Sequence, residues 1–119
     1  MTFFILLLTV FLALSQSKTT WKVDSNLVAP RTFKLNTNEG SWISLDVSPN
    51  GKHIVFDLLG DIYTMPISGG TATRLTHGGR FWNIQPQYSP DGKQISFTSD
   101  RSGEDNIWIM ESNGENKKQ

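Results

Sequence analysis

Two histidines and one serine are the side chains best suited to catalysis, and their spacing limits what they can do. His53 and His77 form neither the His-x-His nor the His-Glu-x-x-His pattern that brings two imidazoles to one metal ion. Ser68 lacks the preceding glycine of a nucleophile elbow. We therefore predict that all three have structural rather than catalytic or metal-binding roles. His53 would lie on a strand, His77 in the loop between two blades and Ser68 in a turn.

The acidic residues cluster at residues 100–105, in the sequence Asp-Arg-Ser-Gly-Glu-Asp. Calcium loops place several oxygen ligands at Asp-x-Asp-x-Asn-Gly spacing, which this segment does not match. We predict a solvated hairpin loop in which Arg101 pairs with its acidic neighbours. Phosphate-loop and dinucleotide fingerprints are absent from the sequence. The sequence thus predicts no catalytic residue, no metal site and no cofactor in this chain, and leaves enzymatic activity of a longer parent open.

Composition limits the possible partners and the chemistry. The 119 residues carry 11 basic and 11 acidic side chains, with no basic stripe that could follow a phosphate backbone, so we expect no nucleic-acid partner. The chain has no cysteine, which excludes disulfides, thiolate chemistry and cysteine-ligated metals. Stability must therefore come from packing.

A repeated turn sets the organisation of the chain. Residues 48–52 read Ser-Pro-Asn-Gly-Lys and residues 89–93 read Ser-Pro-Asp-Gly-Lys, 41 positions further along. Proline suits the second position of a type I turn, and glycine accepts the positive φ at its end. A later block repeats as well, because residues 61–65 resemble residues 106–110 at an offset of 45. The second copy therefore carries four extra residues between these blocks.

Strands are expected on both sides of each turn. Residues 42–47, 53–57, 62–65 and 72–76 form four short strands in the first copy, and residues 83–88, 94–98 and 107–110 form three in the second. Four antiparallel strands in about 40 residues describe one blade of a β-propeller. The predicted fold class is all-β, with two four-stranded antiparallel blades of an incomplete propeller, at residues 40–80 and 81–119.

The first strand of a propeller blade lines the central channel, which identifies candidate binding residues. Polar side chains on the two first strands are Asp46, Asn83, Gln85 and Gln87, which we predict to form a polar, channel-lining surface. The aromatic residues Trp42, Tyr63, Trp82 and Trp108 are predicted to pack between blades rather than to hold a ligand.

The N-terminus indicates export. Residues 3–14 are almost entirely apolar, a run that is too short to span a bilayer and that suits the core of a signal peptide. We predict a signal peptide at residues 1–15, cleaved before Gln16, and a periplasmic or extracellular protein whose contact with the membrane is made through that peptide alone. Residues 16–39 form an N-terminal segment in which residues 31–37 alternate like a strand, as in the clasp that closes a propeller.

Residues 88–103 resemble the WD40-like (PD40) repeat of TolB-type propellers, which have six blades. Residues 39–49, 56–63 and 66–70 are also similar to the start of the TolB-like propeller that precedes the catalytic domain of secreted metal-dependent amidohydrolases. This resemblance implies a non-catalytic scaffold or access module. Its partners would be the remaining blades and a downstream domain that hydrolyses C–N bonds at a metal held by histidines and a carboxylate.

Two other parents fit the same repeat. One is a TolB-type periplasmic protein that binds protein or peptide partners through its propeller, and the other is a prolyl-oligopeptidase-like serine peptidase. At an offset of 45, Gln119 corresponds to Arg74, so the sequence ends inside the predicted fourth strand of the second blade. We therefore expect a fragment or a truncated reading of a longer protein, and we expect residues 16–119 alone to fold poorly or to self-associate.

Overall fold

The computed structural model of the chain describes residues 34–41, 43–77 and 80–119. The predicted signal peptide, most of the segment at residues 16–39 and Trp42 lie outside these ranges. Residues 34–37, the described part of the predicted clasp, are not in a strand. No helix in the described ranges is long and apolar enough to cross a membrane.

Seven strands form two antiparallel sheets. The first sheet contains β1 (Leu45–Val47), β2 (His53–Leu58), β3 (Asp61–Pro66) and β4 (Thr73–Arg74), in that spatial order. The second contains β5 (Asn83–Tyr88), β6 (Gln94–Ser99) and β7 (Asn106–Glu111). Each strand lies beside its neighbour in sequence, as in a propeller blade. The all-β, two-blade prediction is confirmed, with one difference in the second sheet.

That difference concerns the fourth strand. In place of a regular strand, the second sheet has one bridged pair, in which Ile109 and Lys118 exchange two main-chain hydrogen bonds of 2.8 and 2.9 Å. In the first sheet, β4 is also short, but side-chain contacts hold β4 and the residues after it against β3. The Thr76 hydroxyl donates to Asp61 Oδ1 at 2.7 Å and accepts from the Ile62 N–H at 3.0 Å. Arg74 pairs with the same carboxylate at 2.6 Å.

The two repeated turns have the same hydrogen bonds, which explains their shared sequence. The glycine N–H donates to the serine carbonyl at 2.8 Å in both, and Gly51 and Gly92 have φ of 68° and 69°. The side-chain Oδ1 of Asn50 accepts from the Ser48 hydroxyl and the Lys52 N–H, at 2.8 and 3.0 Å. Asp91 accepts from Ser89 and Lys93 in the same way. An amide or a carboxylate therefore closes the turn with the same pair of hydrogen bonds.

The hairpin between β2 and β3 and the hairpin between β6 and β7 differ in loop length by four residues. The change of the repeat offset from 41 to 45 predicted this difference. Leu58 pairs with Asp61 across the two-residue turn of Leu59 and Gly60, whose φ values of 53° and 81° are those of a type I′ turn. In the second sheet Ser99 pairs with Asn106, so residues 100–105 form the loop. Beyond the longer loop, the residues that pair across β6 and β7 correspond to those that pair across β2 and β3.

The hydrophobic core lies between the two sheets. The first sheet and the segment after β4 contribute Val55, Ile62 and Leu75, and the second sheet contributes Ile95, Phe97 and Met110. Tyr88 and Trp108 pack against this cluster. β5 contacts β1, β2 and β3, so the first strand of the second sheet lies across the face of the first sheet. We call this contact the junction.

Candidate functional site

Main-chain donors of β5 bind acceptors of the first sheet along the whole junction. The Gln85 N–H donates to Asp57 Oδ2 at 2.7 Å, and the Tyr88 N–H donates to Asp46 Oδ2 at 2.8 Å. At the other end, the Asn83 N–H donates to the Gly60 carbonyl at 2.9 Å. Hydrogen bonds to carboxylates are among the stronger ones in proteins. The two sheets are therefore held together by polar contacts as well as by their apolar core.

A β-bulge directs the Gln85 N–H toward the first sheet. The register between β5 and β6 shifts between Ile84 and Gln87. Gln85 has φ of 57°, a conformation that is uncommon for residues other than glycine, and the Pro86 ring is fully buried. Proline has no N–H to contribute to the ladder, so it is tolerated at a bulge on an edge strand. The bulge at Gln85 and Pro86 thus leaves the Gln85 N–H free to donate a hydrogen bond to Asp57.

Asp57, in β2, is the acceptor that links β5 to Ser44, the residue directly before β1. Its side chain is buried, and its other oxygen, Oδ1, accepts the Ser44 N–H at 3.1 Å. The Asp57 N–H in turn donates to the Ser44 carbonyl at 3.1 Å. A buried carboxylate is stable when main-chain donors surround it, and here donors from both sheets do so.

Asn83 was predicted to line a channel, and the structure places it inside the junction. Its side chain is 2% exposed. The amide nitrogen donates to the Gly60 carbonyl at 2.9 Å, and the amide oxygen accepts from the Ser99 hydroxyl at 2.9 Å. Arg101 Nη2 also donates to this oxygen, at 3.0 Å. The hydrogen-bonding groups of this side chain are occupied within the chain.

Arg101 packs against aromatic rings, which corrects the prediction that it pairs with its acidic neighbours. The hairpin loop itself is present as predicted, with Ser102, Glu104 and Asp105 exposed. The guanidinium carbon of Arg101 lies 4.9 Å from the ring centroids of Phe81 and Trp108, and 5.7 Å from that of Phe97. Such contacts stabilise a cation over the face of a ring. Burial lowers the pKa of Arg101, with an opposing contribution from Asp100. Asp100 itself accepts the Trp82 N–H at 2.8 Å, so it supports the start of β5.

The other predicted channel residues surround an open groove beside β1 and β5. This groove has a volume of about 440 Å³, and Asp46, Gln85 and Gln87 line it. Its wall also includes Ser44, Leu45, Pro86, Ser96, Phe97, Thr98 and Ile107. The side chains of Gln85 and Gln87 are exposed, whereas Asp46 already accepts two main-chain hydrogen bonds. Whether these residues line the channel of a closed propeller stays a prediction.

The aromatic residues occupy different environments. Trp108 packs in the junction, where its Nε1–H has no hydrogen-bond partner. Trp82 is 55% exposed, and its ring lies so close to Gly60 that a Cβ there would come within 2.7 Å of it. Tyr63 stacks on Phe56, with ring centroids 5.7 Å apart, on the side of the first sheet away from the junction.

The predicted non-catalytic positions are found in separate parts of the fold. His53 begins β2, Ser68 lies in the turn after β3, and His77 comes after β4; all three are exposed. Within the described residues, no three histidine or acidic side chains lie close enough together to hold a metal ion. The residues that organise the junction, Asp57 and Arg101, were missed. The only sequence signal for Asp57 was a charged residue at the end of an otherwise apolar strand.

The comparison with protein families supports the same architecture. The sequence profile described as the TolB beta propeller domain matches residues 13–119. The chain belongs to the TolB beta-propeller family.

Solved structures with this propeller align well with the chain. A structure described as TolB from Agrobacterium tumefaciens has a TM-score of 0.57 and 40% sequence identity, over 61% of this chain and 27% of that one. TolB from Acinetobacter baumannii has a TM-score of 0.56 and 30% identity, over 68% of this chain and 21% of that one. The TolB-like propeller that the sequence resemblance predicted is thus confirmed.

A curated relative gives the same picture. An uncharacterized protein of Agrobacterium fabrum is 47% identical over 72 residues, which make up 56% of this chain and 24% of the relative. The chain spans about a quarter of the length of the TolB propeller proteins and the relative that it matches.

Proposed function

We propose that this chain is a non-catalytic binding module that receives an extended segment of a protein partner beside β1 and β5. The observation that carries this proposal is the pair of exposed glutamine side chains, Gln85 and Gln87, in the groove next to Asp46. A primary amide both donates and accepts hydrogen bonds, as does the main chain of an extended peptide. The groove therefore has the chemistry to bind a peptide.

The junction supports this role by fixing the two first strands relative to each other. Asp57 holds β5 through the Gln85 N–H, so the side chain of Gln85 starts from an anchored main chain. Asp46 likewise fixes the Tyr88 N–H, one residue after Gln87. Binding groups on a rigid support lose less conformational entropy when a ligand binds.

A photo-crosslinking experiment tests this proposal. The full-length gene product would carry a photoreactive amino acid at Gln85 in its native host, with the same residue at Ser68 as the control. Ser68 is also exposed but lies outside the groove. We expect a protein adduct from position 85 that is absent from position 68. Equal labelling from both positions, or none from 85, would contradict the proposal.

We further propose that the parent protein is an exported amidohydrolase-like enzyme, with this propeller controlling access to its active site. The similarity of residues 39–49, 56–63 and 66–70 to the start of such propellers supports this parent. The apolar N-terminal run supports export to the periplasm or beyond. Similarity to TolB structures equally supports a TolB-type periplasmic interaction protein without enzymatic activity. A prolyl-oligopeptidase-like peptidase is the third candidate.

The coding sequence after the codon for Gln119 separates these parents. A His-x-His pattern at the end of a predicted strand supports the amidohydrolase. A Gly-x-Ser-x-Gly elbow supports the serine peptidase. A stop codon after about six blades supports the TolB-type protein. Verified genomic DNA from the source organism is sufficient for this test, because each outcome selects a different parent.

A further inference from the structure

A polar pocket lies at the end of the junction where the two repeated turns meet. Its volume is about 540 Å³, and its lining comes from both turns, from β2, β3 and β5, and from Ser112 after β7. The turns touch, because a Cβ added at Gly92 would lie 3.3 Å from Pro49 Cδ. We call this site the turn pocket. Both of its walls belong to sheets that contact each other within the chain, and it shares no lining residue with the groove beside β1 and β5.

Asp91 gives the turn pocket a negative charge. Its Oδ1 accepts the Ser89 hydroxyl at 2.6 Å and the Lys93 N–H at 3.0 Å, whereas Oδ2 has no hydrogen-bond or ion-pair partner among the described residues. The two bonds to Oδ1 lower the pKa of Asp91, so the carboxylate is ionised at neutral pH. Of the described aspartate, glutamate, lysine and arginine side chains, Asp91 alone lines the pocket.

The turn itself does not require this charge. Asn50 occupies the same position in the first turn and forms the same pair of hydrogen bonds through a neutral amide. The second carboxylate oxygen of Asp91 is therefore an acceptor that closure of the turn leaves unused. A ligand with hydrogen-bond donors can bind there.

Two hydroxyl groups add further acceptors to the turn pocket. The Tyr88 hydroxyl lies 3.5 Å from Thr64 Oγ1, and the Thr64 hydroxyl donates to the Ile54 carbonyl at 2.9 Å. At the repeat offsets of 41 and 45, Tyr88 corresponds to Val47 and Thr64 to Ile109, whose side chains cannot form hydrogen bonds. The repeated fold thus accepts apolar side chains at both positions, and the polarity is specific to this pocket.

His53 completes the wall on the side of the first sheet. In the part of the chain that the structure describes, its hydrogen bonds are made by main-chain atoms, with Ser48 as the partner at 2.9 Å in both cases. The imidazole therefore remains available to a ligand. Together with the Tyr88 ring, it supplies an aromatic surface beside the free carboxylate oxygen.

We propose that the turn pocket binds a guanidinium group, such as the side chain of an arginine. A guanidinium is a planar cation with five N–H donors, so it can pair with the Asp91 carboxylate while donating to the hydroxyl oxygens. Its flat face also stacks on aromatic rings, which a lysine ammonium cannot do in the same way. The site is separate from the peptide groove and does not depend on it.

A pair of matched ligands tests the chemistry of the turn pocket. Saturation-transfer difference NMR would be recorded on the full-length gene product with N-acetyl-L-arginine amide, and then with N-acetyl-L-citrulline amide. Citrulline has nearly the same shape but carries a neutral urea in place of the guanidinium. We expect a dissociation constant on the order of 1 mM for the arginine compound and at least ~10-fold weaker binding of the citrulline compound. Equal binding of the two would overturn the proposal.

Asp91→Asn assigns the binding to this pocket. The variant retains the hydrogen bonds of the turn, as Asn50 shows, but loses the charge. We expect N-acetyl-L-arginine amide to bind at least ~5-fold more weakly, since one charge-assisted contact is lost. Asp105→Asn is the matched control, because it makes the same chemical change in the exposed loop after β6, and its affinity should match that of the parent. An unchanged affinity in Asp91→Asn, or an equal loss in both variants, would refute the site.

Tyr88→Phe keeps the proposal testable if Asp91→Asn alters the fold. It preserves the ring that packs against the core and removes only the hydroxyl, so we expect about 3-fold weaker binding. An unchanged affinity in this variant would place the guanidinium elsewhere. Free L-arginine, titrated in parallel, identifies the source of the group. Tighter binding of the free amino acid than of the amide would indicate a metabolite, and the reverse would indicate an arginine within a peptide.

Discussion

The carboxylate of Asp57 accepts main-chain hydrogen bonds from both sheets, from Ser44 in the first and from Gln85 in the second. Both donors would otherwise face a region that water reaches poorly, because the Asp57 side chain is 5% exposed. Unsatisfied buried donors cost free energy that a folded protein of this size can hardly offset. The Asp57 side chain thus couples the folding of the two sheets.

We expect Asp57→Ala to lower the free energy of unfolding by about 2–4 kcal/mol, since two main-chain donors lose a charged acceptor. Urea denaturation followed by tryptophan fluorescence measures this change. Asp105→Ala is the control, because Asp105 lies exposed in the loop after β6, and its effect should stay within about 0.5 kcal/mol. Equal effects of the two substitutions would show that the Asp57 contacts contribute nothing.

Asp91 gives a pH-dependent prediction. The Ser89 hydroxyl and the Lys93 N–H stabilise its carboxylate, which lowers its pKa below the ordinary value of 3.8. A pKa that is lower in the folded state contributes stability above the unfolded pKa, and this contribution is lost as the pH falls through the folded value. Asp91→Asn should therefore unfold at a temperature less sensitive to pH below about 4.

Thermal unfolding of both proteins between about pH 2 and pH 6 measures the difference. At the upper end of this range the two melting temperatures should be close, because Asn50 closes the equivalent turn with the same hydrogen bonds. A variant that retains the full acid sensitivity of the parent would show that Asp91 is not responsible for it.

At the scale of elements, the bulge in β5 interrupts the regular pairing of the second sheet. Gln85 occupies the left-handed region, with φ of 57°, and glycine adopts this conformation without steric cost. Gln85→Gly should therefore leave stability unchanged or raise it by up to about 1 kcal/mol, whereas Gln85→Val should lower it by about 1–2 kcal/mol.

Gln94→Val controls for the loss of an exposed glutamine from a regular strand. Valine favours strands, so this change should be neutral or mildly stabilising. The comparison uses the midpoint of urea unfolding for each variant. Destabilisation by glycine and valine alike at position 85 would mean that the glutamine side chain, rather than the main-chain conformation, holds the bulge.

Much of the strand pattern could be predicted because each turn has its own local chemistry. The Ser-Pro-x-Gly-Lys turns and the alternating apolar residues gave β2, β3, β5, β6 and β7 to within one residue at each end. β1 and β4 are shorter than predicted: the paired residues of β1 begin at Leu45, and those of β4 are Thr73 and Arg74 alone. Ser44 and Leu75 still make single main-chain hydrogen bonds to the neighbouring strand.

The site was less predictable because its contacts join residues far apart in sequence. The bond from Gln85 to Asp57 spans 28 positions, and that from Tyr88 to Asp46 spans 42. Arg101 looked solvated because its loop is acidic, but the rings of Phe81, Phe97 and Trp108 lie around it only after the second sheet forms. No pattern in the sequence around Arg101 predicts its contacts with these rings.

For the whole molecule, the shared core makes the two sheets depend on each other. Phe97 is fully buried in a cluster that contains residues of both sheets. We expect Phe97→Ala to cost about 3–5 kcal/mol and to lower amide protection in β2 as well as in β6. Hydrogen exchange monitored by mass spectrometry resolves the two strands.

Ile67→Ala serves as the control, because Ile67 is 54% exposed and lies after β3. Its protection pattern should match that of the parent. A loss of protection confined to β6 in Phe97→Ala would show that the first sheet is stable by itself, and the junction would then be a contact between independently folding units.

The hairpin between β6 and β7 shows where this scaffold accommodates new sequence. Compared with the hairpin between β2 and β3, it holds four more residues, yet Phe97 still pairs with Trp108 as Phe56 pairs with Tyr63. At the start of the loop, Asp100 accepts a hydrogen bond from Trp82 and Arg101 packs on Phe81, whereas Glu104 and Asp105 are exposed. An epitope tag or a fluorescent reporter placed between Gly103 and Glu104 would therefore extend a loop that is already longer than its counterpart in the first sheet, and would label the molecule without altering the alignment of its strands.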